Sequence, residues 1–324
     1  MGKKVAVICP VYNTEEYLSE CLDSIINQTL NQCDIEVIIV NDGSTDNSAK
    51  IIKKYKKKYP DWVVIEQENQ GLAAARNRGL QEVTAEFFCY LDTDDYYIPE
   101  SFEKMYENAI DTKVDMVISK IKAFDANNEY GYYSDSVLST KRVVSYHEDN
   151  SIIKAISVCS KLYKTETLGK YRFLNIRYHE DNYYSIIAMY NANLVSILPE
   201  QLYCRRYREG ENLSLMQSLN YESFIDMNVN YQQILKEVPI YEKHILMFCL
   251  KNSIRYIKKH VKGIKKQTVA LNKTIRLIKI ADNTWDIGIP RKSYFIIYSW
   301  LYYIYASFGI ILYSVIKFNR GVSR

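Results

Sequence analysis

Along the first 120 residues, short apolar runs alternate with stretches whose apolar residues recur every three or four positions. The runs are VAVIC (5–9), IEVIIV (35–40), WVVIEQ (62–67), EFFCYL (86–91) and VDMVIS (114–119). All are short, and rich in β-branched or aromatic residues, so they predict strands. Between the first two, EEYLSECLDSIINQ (15–28) puts Leu18, Leu22, Ile25 and Ile26 on one helical face. TDNSAKIIKKYKKKY (45–59), GLAAARNRGLQEV (71–83) and a segment near 99–110 predict further helices. Asn13 and Glu16 have capping-box spacing for the first helix, and Ser44 or Thr45 suits the cap of the second. Ala73, Ala74 and Ala75 would let the third lie close on a sheet.

Strands buried on both faces and joined by amphipathic helices predict an α/β fold, a mostly parallel sheet flanked by helices. Ligands of such sheets bind beyond the carboxyl ends of the strands. The unusual polar clusters fall there: PVYN (10–13), NDGSTD (41–46) and DTDD (92–95). Past residue 120 the pattern weakens. Residues 120–160, rich in Tyr, Asn and Ser, suit a hairpin or an acceptor-binding insertion. SKLYKTETLGKYRF (160–173) leads into IRYHEDNYYSIIAMY (176–190), a loop entering a helix near Asp181, and LVSILPEQLYCRRY (194–207) is strand-like. From about 218 the pattern is helical throughout, which divides the chain into an α/β domain, 1–217, and an α-helical region, 218–324.

Seven scattered cysteines without a CxxC pair, and four histidines without ligand spacing, argue against a disulfide frame or a zinc site. They fit core residues in a reducing compartment. The opening MGKKVAVICPVYN lacks signal-peptide character. Charge is divided: residues 1–242 hold 26 Lys/Arg against 36 Asp/Glu, whereas residues 243–281 hold 11 basic residues and no acid. An acidic body with a basic tail points to a polyanionic partner. KNSIRYIKKHVKGIKKQTVALNKTIRLIKI (251–280) interleaves aliphatic and basic residues like a helix lying on anionic lipid. No aromatic-rich or helix-turn-helix pattern accompanies it, so nucleic acid is not expected. Residues 293–316 carry no charge and are long enough to cross a bilayer, but Tyr298, Tyr302, Tyr305 and Tyr313 form a polar stripe and both flanks are basic. An in-plane anchor is expected there, with a face buried on a partner subunit or a true span as alternatives.

The chemistry starts from DTDD. In an extended segment Asp92 and Asp94 share a side. A divalent cation between them and a diphosphate would relieve their repulsion, and hard oxygen ligands suit Mg²⁺ or Mn²⁺. Asn-Asp-Gly in NDGSTD permits a tight turn, which accounts for Gly43 but does not require Asp42.

PVYN, NDGSTD, NQGLAAARNRGL (69–80), DTDD and HED (179–181), in this order and spacing, resemble a family 2 glycosyltransferase of the GT-A fold over roughly the first two-thirds of the chain. The resemblance implies that Asp94 holds the metal and that Asp92 meets the ribose or the metal's water shell, with Asp95 near the sugar. It implies that Asp42 contacts the base or ribose, that Tyr12 stacks near the base, and that Pro10, Val11 and Asn13 shape the floor. Gly71 opens the third helix, and Arg76 lies by the nucleotide or braces the aspartates. Asp181 is implied as the base, with Glu180 and His179 on the acceptor side. CRRYREGENLS (204–214), with Arg205, Arg206 or Arg208, suits a lid over the diphosphate. The QxxRW motif of processive members is absent, which favours one sugar per binding event. The expectation is an inverting transfer from a nucleotide-diphosphate sugar, UDP foremost, to a hydroxyl of a cell-surface glycan precursor such as a lipid-linked oligosaccharide. The enzyme would work in the cytoplasm, peripheral on the inner face of the membrane, and self-association stays open. A nucleotidyltransferase would place a Gly-rich basic loop after the first strand, where PVYNTEEY stands. A non-catalytic scaffold would not need Asp42, Asp92, Asp94 and Asp181 all intact.

Overall fold

The computed structural model describes residues 2–132, 134–208, 220–238 and 243–263, with six residues between 266 and 274. It divides into two compact units, Met1–Ser218 and Leu219–Arg324. In the first unit the chain runs β1 (Val5–Val11), α1 (Leu18–Ile26), β2 (Ile35–Asp42), α2 (Ser48–Lys58), β3 (Val63–Gln67), α3 (Leu72–Leu80), β4 (Phe87–Tyr90), β5 (Tyr96–Tyr97) and α4 (Ser101–Thr112). It continues through β6 (Met116–Phe124), β7 (Glu129–Tyr130), β8 (Arg142–Val144), β9 (Lys161–Lys164), α5 (Thr165–Leu168), α6 (Glu180–Asn191) and β10 (Val195–Arg206).

The strands form one sheet in the order β3-β2-β1-β4-β9-β6-β10-β5, with β7 beside β6 and β8 beside β10. The first four strands are parallel, as the buried apolar runs require. Every residue of β1 is buried. Strand order reverses at β1, which has β2 on one side and β4 on the other, and that crevice is where such sheets bind ligands. Beyond β4 the sheet is mixed: β9 runs antiparallel to both β4 and β6, while β6 and β10 are parallel. Helix α3 sits tight on the sheet, but through a residue other than the expected alanines alone. Ala73 and Ala75 are buried and Ala74 is not, while a Cβ at Gly79 would lie 2.5 Å from Ile8 Cγ2.

Two local expectations fail because tertiary contacts take the residues. Asn13 does not cap α1. It adopts a left-handed conformation (φ 51) and its Oδ1 accepts from Thr45 N at 2.8 Å. Ser44 and Thr45 do not cap α2 either; Ser44 Oγ accepts from Asn13 N, and the helix start is held by Asp46 Oδ1 accepting from Ser48 N. These bonds tie the loop after β1 to the loop after β2. Within 120–160 a short hairpin does form, β6 with β7.

In the second unit α7 (Tyr221–Glu237) begins with a capping box of Asn220 and Ser223, and α8 (Lys243–His260) follows. Tyr231 meets Phe248 edge-on and Ser223 bonds Tyr256 between the two helices. Ile245, Cys249, Leu250 and Ile257 of α8 are buried, whereas Lys251, Arg255 and Lys259 are exposed. The described part of the tail is therefore amphipathic with a basic outer face. No helix among the described residues is long and apolar enough to cross a membrane. The proposed anchor, 293–316, and Gly210 of the proposed lid lie outside the described residues.

Candidate active site

The DTDD loop leaves β4 with strict alternation. Leu91, Thr93 and Asp95 are buried, and Asp92 and Asp94 are partly exposed on the other side. Thr93 Oγ1 is locked against Thr14 Oγ1 at 2.9 Å and donates to Pro10 O at 3.3 Å. That buried anchor fixes which way the two exposed carboxylates face. Asp95 faces inward: only 5% exposed, it accepts from Tyr203 Oη at 2.7 Å and from Arg206 N at 2.8 Å. Its carboxylate serves β10, not the open side where the resemblance would have it meet a sugar. Burial, reinforced by Asp94 and Asp92, pushes the Asp95 carboxyl well above the usual carboxylate range.

Arg76 joins the two halves of the site. It is 2% exposed, lies over the ring of Phe173, and donates from Nη2 to Asp92 Oδ1 at 2.6 Å and from Nη1 to Glu180 Oε1 at 2.7 Å. Of the two roles the resemblance left open, bracing is the one the structure displays. Burial alone would raise Asp92, but the Arg76 charge and hydrogen bond outweigh it and hold the carboxyl below its ordinary value. Glu180 is more deeply placed, and there burial wins over Arg76, with Asp181 adding to it, so its carboxyl is pushed up to about 7.

Asp42 closes β2 and is 3% exposed. Its carboxylate accepts from Gln67 Nε2 at 2.7 Å, Gln70 N at 2.9 Å and Gly71 N at 2.8 Å. The residue thus shapes the NQG loop that launches α3, where Gly71 takes φ 90. Tyr12, 48% exposed at the end of β1, offers a free-standing ring next to that loop system, while Pro10 and Val11 are buried beneath it.

Helix α6 brings in Asp181. His179 precedes the helix in a left-handed conformation (φ 61) and is buried, so the turn is strained and held by its surroundings. Glu180 and Asp181 occupy the first turn. A helix start favours carboxylates through its dipole, which would be reason enough for acids there. Asp181 departs from that: no hydrogen bond or ion pair among the described residues engages its carboxylate, and it is partly exposed. Burial raises its carboxyl against the pull of Arg76 and Arg205, Asp92 raises it further, and Lys161 lowers it. A partly exposed carboxylate of raised basicity is suited to accept a proton.

The three arginines at the end of β10 and just past it have different partners. Arg205 lies over the ring of Tyr132. Arg206 pairs with Glu20, stacks on Tyr17 and Phe124, and donates from Nε to Asp94 O at 3.1 Å. Arg208 Nε donates to Asp94 Oδ2 at 2.8 Å. Of the three arginines the sequence offered, Arg208 is the one whose side chain bonds a carboxylate of the cluster, while Arg205 acts on Asp92, Asp95 and Asp181 through its charge. Burial outweighs the Arg208 charge, and Asp92 adds to burial, so Asp94 lies above its ordinary value.

Among the described residues no group of three or more His, Cys, Asp or Glu is arranged to hold a metal by itself. Two partly exposed carboxylates fit a hard cation that completes its shell with substrate oxygens and water, which is how Mg²⁺ is commonly held. Asp94 and Asp92 are the residues present for it. All seven cysteines are free, and all but Cys33 are buried.

Four sequence motifs follow the carboxyl ends of the parallel strands β1 to β4, and Arg76 links them to a fifth at the start of α6. A family model described as glycosyl transferase family 2 matches residues 6–172. The chain belongs to glycosyl transferase family 2. The matched span includes Tyr12, Asp42, Arg76, Asp92 and Asp94, and ends before Asp181. Glycosyltransferase GlyA of Streptococcus pneumoniae is 33% identical over 219 residues, covering 64% of this chain and 31% of GlyA, so the chain spans about a third of that relative. The uncharacterized glycosyltransferase EpsJ of Bacillus subtilis is 30% identical over 267 residues, covering 79% of this chain and 75% of EpsJ. In fold this family 2 chain is similar to residues 1–349 of S. aureus TarS, solved in complex with UDP-GlcNAc: TM-score 0.72 at 24% identity, covering 87% of this chain and 84% of that one. A GT-A-type mixed sheet flanked by helices, with a helical C-terminal region, is thereby established.

Proposed function

We propose that the chain transfers one sugar, with inversion, from a UDP-sugar to a hydroxyl of a cell-surface glycan precursor. The supporting observation is the Arg76 bridge, which couples Asp92 of the donor cluster to Glu180 beside Asp181. That bridge supports a reading in which donor and acceptor chemistry meet at Arg76. TarS, of similar fold, was solved with UDP-GlcNAc, which makes that compound the first donor to try.

In this reading Tyr12 supports the base and the Asp42-braced loop bounds the ribose. Asp94 and Asp92 would hold Mn²⁺ or Mg²⁺, which when bound supplies positive charge to the departing diphosphate. Arg208, already seated on Asp94, is placed to follow the phosphates. Asp181 takes the proton of the acceptor hydroxyl while that oxygen attacks the anomeric carbon. The bond from that carbon to the diphosphate oxygen breaks, and its electron pair leaves with UDP. The basic outer face of α8 supports attachment to anionic lipid at the inner face of the membrane, where a lipid-linked acceptor would lie.

The test is nucleotide release by the full chain from a panel of UDP-, GDP- and dTDP-sugars, with Mn²⁺ and with EDTA. Release of UDP that depends on the metal, and that Asp94→Asn lowers by at least about tenfold as the loss of a metal contact implies, is the expected result. Release from a GDP- or dTDP-sugar alone would reject the donor assignment, and equal release in EDTA would reject the metal.

A further inference from the structure

Lys161 opens β9, opposite Ile118 of β6, near the middle of the sheet, and is 1% exposed. Lysine is almost never buried this fully without a partner. Its ammonium donates to Ser157 O, a neutral carbonyl. The residue before it is fixed with care: Ser160 is left-handed (φ 62) and buried, its Oγ donates to Ser119 O at 2.7 Å, and its carbonyl accepts from Ser119 N. The backbone is thus forced into one path at the point where Lys161 enters the sheet.

Register shows what Lys161 faces. Residues two apart on a strand point to the same side, so Lys161 shares its side with Tyr163. Tyr163 packs edge-on against Tyr184 of α6 at 5.7 Å. β9 runs antiparallel to β4, so Lys161 lies at the end of β9 nearest the DTDD loop, and Arg76 ties Glu180 to Asp92 of that loop, so the start of α6 lies at the same end. Lys161 is therefore on the side and at the level of the first turn of α6, which carries Glu180 and Asp181. Glu180 is already paired with Arg76, which leaves Asp181 as the carboxylate for this cation.

We propose that Lys161 is a positioning residue for the transfer: its buried ammonium, at the level of the first turn of α6, acts through its field, without a direct ion pair, to favour the ionised Asp181 carboxylate for proton abstraction. The idea rests on Asp181 being the base. The groups around Asp181 come from every element packed on it: Arg76 of α3, Arg205 of β10, Asp92 after β4, and Lys161 of β9, with Glu180 adjacent. Around Lys161 they are Cys159 and Asp181. Burial pulls the Lys161 ammonium down to about 7, against the raising effects of Cys159 and Asp181. The charge is therefore present below neutrality and lost above it.

The experiment compares the full-length wild type, Lys161→Met, Lys161→Arg, Asp181→Asn and the Lys161→Met/Asp181→Asn double variant. UDP release from UDP-GlcNAc with Mn²⁺ is followed against pH, and thermal midpoints are read without substrate. In Lys161→Met the acid limb of kcat/KM is expected to move up by about one pH unit, a tenfold loss on that limb. The fall in activity above neutrality should vanish, and UDP affinity should be unchanged. Lys161→Arg keeps the charge and should keep the acid limb. Lys161→Met leaves the Asp181 carboxylate without its counter-charge, so it should melt lower than wild type at pH 6, and the Lys161→Met/Asp181→Asn double variant should recover part of that loss. In the thermal cycle, Asp181→Asn should cost the wild type more than it costs Lys161→Met, the mark of a coupled pair. Asp181→Asn alone gives a reading without altering Lys161. An unfolded lysine binds its proton up to about pH 10, so wild-type stability rises with pH from the folded value of about 7. Losing the counter-charge should start that rise at lower pH. Additive thermal effects, or a pH profile unmoved in Lys161→Met, would overturn the proposal. So would activity lost together with stability and UDP affinity, which marks a merely structural lysine. If the wild type does not turn over UDP-GlcNAc, the donor assignment fails and the thermal cycle still decides the Lys161–Asp181 coupling.

Discussion

Asp181→Asn is expected to lower the turnover number by a factor of about 10²–10⁴, the usual worth of a positioned general base, without changing the affinity for UDP. The amide has nearly the same shape and cannot accept the acceptor's proton. Among the described residues no hydrogen bond or ion pair runs through the Asp181 side chain, so the variant should fold, with a thermal midpoint changed only by the lost coupling to Lys161. Undiminished transfer would remove Asp181 as the base. Loss of UDP affinity in parallel with turnover would place it on the donor side instead.

Arg76→Met should have the largest effect on stability. The guanidinium is buried and neutralises two carboxylates, Asp92 and Glu180. Removing one partner of a buried ion pair leaves uncompensated charge and costs about 3–5 kcal/mol. For a unit of this size that is a fall on the order of 10 °C in the thermal midpoint. Activity should fall with it, because both carboxylate motifs lose their brace. Glu180→Gln in the Arg76→Met background should recover part of the stability, since one orphaned charge is then gone. A midpoint within a degree or so of wild type would mean that the bridge contributes little and that the two motifs are held apart from it.

The first half of the fold was readable because β1, β2 and β4 are buried on both faces and the helices on one, while β3, at the sheet's edge, is only half-buried. VAVIC, IEVIIV and EFFCYL have no other reading, and the parallel order follows from the helices between them. The polar clusters were readable for the same reason, since they interrupt apolar strands at their carboxyl ends. β9 was not readable. KLYK is four residues long and begins and ends with lysine, a pattern of a solvent-facing turn, yet it lies between β4 and β6 with Lys161 fully buried. Nothing local says that a lysine will be enclosed; the neighbours that enclose it come from β6 and α6. The role of Arg208 was hidden likewise. Three arginines follow one another on β10 and its exit, and only the pairing of β10 with β5 and β6 turns Arg206 toward Glu20 and Arg208 toward Asp94. The Asn13 cap failed for a related reason: a loop-to-loop bond offered by Thr45 competes with the helix start and wins. Sequence pattern speaks for burial along one element and is silent on which element supplies the partner.

The central claim is that Asp94 and Asp92 hold a divalent cation together with the diphosphate of the donor. Calorimetric titration of UDP into the full chain, with Mn²⁺ and with EDTA, tests it most directly when repeated on Asp94→Asn. The account predicts UDP binding that Mn²⁺ strengthens in the wild type and no longer strengthens in the variant. Equal heats with and without the metal, or the same metal response after the aspartate is removed, would contradict it.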